Sequence, residues 1–103
     1  MSGPNVALVN PTNRLKVVTV DLSIPHTKAS VGLAALAVTF RWLTVDVVTT
    51  AAQLQFVQTD GSQSDLFTAE QSARFQEHQF LDVLVTNAAA PGGSLKIVVG
   101  WQV

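Results

Sequence analysis

Apolar and polar positions alternate with a period of two along most of this chain, which is the signature of half-buried strands. In Leu15–Ser23, Val18, Val20 and Leu22 share one parity, and Val17, Thr19 and Asp21 the other. In Ala52–Gln58, Ala52, Leu54 and Phe56 stand against Gln53, Gln55 and Val57, and Asp60-Gly61 supplies a turn. The strongest register is in the last quarter. FLDVLVTN and LKIVVGWQV read as two strands of a closing hairpin, joined by AAAPGGS. Pro91-Gly92 suits a type II turn, with proline presetting φ and glycine supplying φ > 0. Leu95, Ile97, Val99, Trp101 and Val103 share one face of the final strand. So apolar a strand should not be a bare edge, so burial is expected for Val99, Trp101 and Val103.

Two stretches break the alternation. Over Leu36–Thr49, Val38, Phe40 and Trp42 share one parity, and Leu43, Val45 and Val47 the opposite one. A face that changes parity at Trp42/Leu43 implies a bulge, or a bend between sheets. The second stretch, residues 62–79, is polar. Thr68 and Gln71 have capping-box spacing, so Ala69–Gln76 could form two helical turns. The reading preferred here is a long crossover with at most one short helix, and Phe67, Phe75 and Phe80 tucked into the core. Ahead of both, Ile24–Lys28 reads as a loop because of Pro25. Gly32–Leu36 reads as a loop or single helical turn.

The sum is six or seven strands in an all-β chain: a single β-sandwich, jelly-roll-like, with the crossover at 62–79. Residues 15–103 form that domain. Residues 1–14 form an N-terminal arm, in which Val6–Val9 could pair as a short strand and Pro11–Asn13 turns.

Composition adds a reason to expect partners. The chain has 103 residues, 48% apolar and 13% charged, against a usual charged fraction of about 25%. One domain of this size hides limited apolar surface, and monomers rarely expose large apolar patches. A homo-oligomer or a subunit of an assembly is expected, with Val6, Leu8, Trp42, Val99, Trp101 and Val103 as interface candidates. Net charge is −1 with no basic stripe, so no nucleic-acid footprint is visible. The N-terminus lacks signal-peptide character, and no apolar run reaches the ~20 residues that span a bilayer; no membrane partner is expected.

Chemistry is not legible. There is no cysteine. A metal site needs three or four converging ligands, and the two histidines, His26 and His78, read as loop residues without such a set. Asp60/Asp65 and Glu70/Glu77 are the conceivable carboxylate pairs, and both look solvated. Ala90–Ser94 lacks the strand-to-helix context of a nucleophile elbow. Arg41 is expected to pair with Asp46 or Asp82. Trp42 and Trp101 read as core or interface residues, with a sugar-stacking platform as the alternative. No catalytic residue, cofactor or metal is expected.

Three segments carry a resemblance. Phe40–Asp46 has the form F-x-x-L-T-V-D, Leu54–Gly61 is a strand ending in a polar turn, and Phe80–Gly100 has the form F-x-x-V-x-V-T-N-A-A-x-P-G-x-x-L-x-[apolar]-x-x-G. In this order they resemble small β-sandwich virion structural proteins of tailed bacteriophages; residues 1–35 do not contribute. The resemblance implies a non-enzymatic subunit located in the virion, a capsid decoration or a tail-associated protein, partnered by copies of itself and by other virion proteins. It transfers no functional residue. A small module binding a host-surface glycan or receptor is the alternative.

Overall fold

The computed structural model describes residues 13–103, including every side chain in that span except that of Glu77. Eight strands follow in order: β1 Asn13–Asp21, β2 His26–Ser30, β3 Phe40–Val48, β4 Gln53–Val57, β5 Phe67–Thr68, β6 Arg74–Phe80, β7 Asp82–Asn87 and β8 Ser94–Gln102. A 3-10 turn, Leu33–Leu36, precedes β3. One sheet has the order β1-β8-β3-β6 and the other β2-β7-β4-β5. The pairs β1/β8, β2/β7, β3/β6 and β4/β5 are nested, as in one long hairpin folded at β4/β5 and rolled so that successive pairs alternate between sheets. This is a jelly-roll sandwich, an all-β fold of two packed antiparallel sheets.

The core lies between the sheets. Val18, Leu43, Val45, Leu95, Ile97 and Val99 enter it from the first sheet, and Leu54, Phe56, Val83 and Val85 from the second. Phe56 is the hub of its aromatic half, with ring centroids 5.2 Å from Phe67, 5.4 Å from Phe75 and 4.8 Å from Phe80. Phe40 stacks on Phe80 and meets Trp101 edge-on, each at 5.4 Å.

Several expectations change. The closing strands β7 and β8 do not form a hairpin, because they lie in different sheets. The Ala90–Gly93 turn does form, with Gly93 N–H donating to Ala90 O and Gly92 at φ 76°. Residues 88–93 are long enough to cross the ~10 Å between sheets, so the turn redirects the chain across the sandwich. The crossover at 62–79 holds two strands and no helix. Ser72, at φ 69°, makes a sharp turn where a helix would run. A helix would place Phe75 and Phe80 on different sides, at about 100° per residue. In β6 a register slip between Gln76 and Phe80 lets both face the core. β2 occupies part of the supposed loop at residues 24–28, starting just after Pro25, where a missing donor is tolerated.

The final strand is not an edge: β8 lies between β1 and β3. Val99 is fully buried and Trp101 half-buried, but Val103 lies beyond the pairing and is 76% exposed. The parity change in β3 is a bulge at Arg41, where the register shifts against both neighbours between Phe40 and Trp42.

Candidate interaction face

The bulge at Arg41 decides where Trp42 points. Phe40 goes into the core, Leu43 and Val45 follow it, and Trp42 is turned to the outer face of the first sheet. Trp42 therefore does not share the Phe40 face, as unbroken parity would require. Its neighbour in register is Gly100 on β8, and on the far side of Gly100 stands Leu15 of β1. A Cβ at Gly100 would sit 2.5 Å from Trp42 Cε3 and 3.0 Å from Leu15 Cδ2. The glycine is what allows the indole and the leucine to meet across the strand, an aromatic side chain covering a strand glycine.

The register extends this into rows. Leu15, Gly100, Trp42 and Gln76 run across the four strands, and beside them Val17, Val98, Thr44 and Arg74. Thr19, Lys96 and Val47 make a third row. Leu15 is 70% exposed and Val17 57%, while Trp42, Val47 and Val98 are half-buried. The result is one apolar patch on one face with a polar rim. At the rim Lys96 Nζ meets Asp46 Oδ2 at 2.9 Å, and Arg41 Nη1 donates to Gln102 Oε1 at 2.7 Å. Arg41 is thus paired with an amide at the chain end rather than with Asp46 or Asp82.

The outer face of the second sheet is built differently. Its outward residues Gln55, Asp82 and Leu84 are buried. The chain after β4 turns back along its edge, with Val57 bridged to Gln63, and there Gln55 Nε2 donates to Ser64 O at 2.9 Å and Phe56 N–H donates to Ser64 Oγ at 2.9 Å. At the other end the Asp82 carboxylate accepts from Ser30 Oγ and from the N–H groups of Leu33 and Val83. These bonds tie the 3-10 turn onto β7.

The remaining chemical candidates are structural. His26 Nδ1 donates to Asn87 Oδ1 at 2.6 Å, and Asn87 Nδ2 donates to the carbonyls of Leu22, Ile24 and Ala88. Asn87, invisible as a candidate in the sequence, thereby ties β7 to the chain leaving β1 in the opposite sheet. His78 is a strand residue whose ring centroid lies 4.5 Å from that of Phe56, and its Nε2 is buried with no hydrogen-bond partner among the described residues. Asp60 sits on the β4 turn, where Ser62 Oγ and N–H bond to it and hold its carboxyl below the ordinary value. Asp21 is held down in the same way by Ser23. Among the described residues, no group of three or more His, Cys, Asp or Glu is placed to hold a metal ion.

Of the interface candidates, Trp42 lies on the outer patch. Val99 and Trp101 face the core, and Val103 projects beyond β8. Val6 and Leu8 lie outside the described residues. Leu15 and Val17 were missed, although the parity of β1 assigns them to the face opposite Val18 and Val20. The missing signal was that no other described residue covers this face.

Among the described residues no helix is long and apolar enough to cross a membrane. No protein-family description and no curated protein matches the chain. A solved structure titled "Crystal Structure of FeII HppE" aligns with 88% of this chain and 43% of its own, at 17% identity and a TM-score of 0.41, a similarity too low to argue from.

Proposed function

We propose that this protein is a non-enzymatic structural subunit that works by packing the outer face of its β1-β8-β3-β6 sheet against neighbouring proteins. The observation that carries this reading is the coplanar set Leu15, Val17, Trp42 and Val98, apolar and uncovered by any other described residue, on a chain whose other outer face buries Gln55, Asp82 and Leu84. A patch of this kind rimmed by polar groups marks an association surface. The sequence resemblance specifies the setting: a bacteriophage virion, with copies of the same chain and other virion proteins as partners. Solution mass and co-sedimentation with assembled particles test it. A particle-bound protein, lost from particles when Trp42 and Leu15 are changed to Ser, is the expected result. A strict monomer without affinity for any particle would sink the reading.

A second reading is favoured by one specific feature. Trp42 lies over Gly100 beside Gln76 and keeps part of its surface open, an arrangement that could stack on a sugar ring of a surface glycan. Trp101, edge-on to Phe40 in the core, is not available for this. Titrating glycans against wild type and Trp42→Ala, with indole emission as the readout, separates the two. Unchanged emission across a broad panel leaves the assembly reading alone.

A further inference from the structure

Among the described residues the two sheets present four edge strands, and three are interrupted in ways that discourage pairing. β5 has two residues. β2 follows Pro25, and its register shifts between His26 and Ala29, with Lys28 at φ 48°. β6 carries the slip between Gln76 and Phe80. β1 is the most regular of the four, its one deterrent being the charges of Arg14 and Lys16. It runs nine residues, contains no proline, and pairs with β8 without a shift from Asn13↔Gln102 to Asp21↔Ser94. Its outward side chains include Leu15 and Val17, the most exposed apolar residues of the sheet's strands.

We propose that the partner at this edge is β1 of a second copy, paired antiparallel about a two-fold axis through Val17, so that two four-stranded sheets become one continuous sheet. This rests on the assembly reading above and names the first contact of that assembly. Register follows from the sequence of the strand. The sheet face is kept only if the axis passes through a residue of β1, because a one-residue slip turns every side chain over. With the axis at Leu15, Arg14 of each copy would stand opposite Lys16 of the other, and like charges directly opposite destabilise. With the axis at Thr19, the first residues of the strand, Leu15 among them, lose their β1 partners. Only the axis at Val17 uses the whole of Asn13–Asp21. It sets Val17 against Val17, Leu15 against Thr19, Lys16 against Val18, Arg14 against Val20 and Asn13 against Asp21.

The same register keeps like charges apart: Arg14 and Lys16 of each copy stand opposite Val20 and Val18 of the other, and Asp21 opposite Asn13. Between β1 and β2 lies an open cleft of about 260 Å³ lined by Val18, Val20, Val31, Asp21 and His26. In the pair, the aliphatic stems of Lys16 and Arg14 of the second copy lie along this opening, on the face of Val18 and Val20, with their charged heads toward solvent. The Leu15 and Val17 patches of the two copies become continuous across the new seam, and the arrangement is isologous and closed.

The chain has no cysteine, so a single-cysteine scan reads the register directly. Residues opposite each other in an antiparallel pair have Cα atoms about 4.5–5.5 Å apart, within disulfide reach. Four residues of displacement is about 13 Å, out of reach. Under mild oxidation of the full chain, Val17→Cys is expected to form a covalent dimer about tenfold faster than Leu15→Cys or Thr19→Cys. Val17→Lys, at an exposed site, is expected to keep its melting temperature and lose the non-covalent dimer. Fastest cross-linking at position 15 or 19, or equal rates at all three, would overturn the proposal. An intramolecular bond in a Leu8→Cys/Leu15→Cys double variant would also overturn it, by giving the edge to the protein's own N-terminal segment. These outcomes are separable from the fate of the virion reading. A Val17-linked dimer that binds no particle leaves the pairing intact and removes the setting; a particle-bound protein insensitive to Val17→Lys does the reverse.

Discussion

The outer faces of the two sheets are made from the same alternating pattern, yet one is closed and the other open. On β4 and β7 the outward positions Gln55, Asp82 and Leu84 are buried, with Gln55 bonded to Ser64 and Asp82 to the 3-10 turn, while Gln53 at the far end stays exposed. On β1, β8 and β3 the outward positions hold Leu15, Val17, Val98 and Trp42, and no described loop crosses them. The closed face is thus covered through polar residues and the open face is left apolar. Loops carry backbone donors and acceptors that need partners, so a face meant to be capped by loops benefits from carboxylates and amides. A face meant for another sheet benefits from flat apolar side chains.

Substitutions ordered by expected effect test this contrast. The scale is set by the shared core: Phe80→Ala should destabilise by about 3–5 kcal/mol, since Phe80 is fully buried and contacts both Phe40 and Phe56. A denaturant midpoint shift without a change of slope checks it. Next, Asp82→Ala should cost about 2–3 kcal/mol, because the Leu33 N–H loses a buried acceptor and the 3-10 turn loses its tether. Amide exchange at Leu33 should then rise before global unfolding; if it does not, the closed face is not held by this carboxylate.

Gln55→Met probes the same face more gently. It removes the bond to Ser64 O, but also removes Gln55 Oε1, a buried acceptor without a partner. The two changes oppose each other, and the net effect should stay within about 1 kcal/mol. On the open face, Leu15→Ser and Val17→Ser should change monomer stability by no more than about 0.5 kcal/mol, while sharply lowering association measured by sedimentation. A large stability loss there would mean that the face is capped by the chain itself.

The smallest effect concerns pH. Asp21 and Asp60 each accept two bonds from a serine two residues on, first its hydroxyl and then its N–H, and both carboxyls are held below the ordinary 3.8. A carboxyl depressed in the folded state favours folding above its unfolded value, and that contribution fades as pH falls through the folded one. The melting-temperature difference between wild type and Asp21→Asn should therefore be present near neutral pH, begin to shrink as pH falls toward about 3.8, and vanish only below the depressed folded value. A difference that persists in acid would show that the hydrogen-bond geometry, not the charge, is responsible.

Local pattern was enough to place five of these strands, β1, β3, β4, β7 and β8, because period-two alternation is written residue by residue: Val18/Val20/Leu22, Leu54/Phe56 and Leu95/Ile97/Val99 all face the core as their parity requires. The parity break at Trp42 was legible as a bulge for the same reason. The Pro91-Gly92 turn was legible because its backbone angles are properties of those two residues. Sequence could not decide which strands pair. β7 and β8 adjoin in the chain but lie in different sheets, since a turn fixes local direction and not the distant edge a strand will meet. Nor could it find β6, where burying Phe75 and Phe80 outweighed a local helix signal. Whether an outward face is covered was also beyond it. Val17 and Gln55 are both outward by parity, yet the returning chain after β4 meets Gln55, which is buried, while Val17 stays exposed. Cover is a relation between segments far apart in the chain, so the tertiary structure alone decides it.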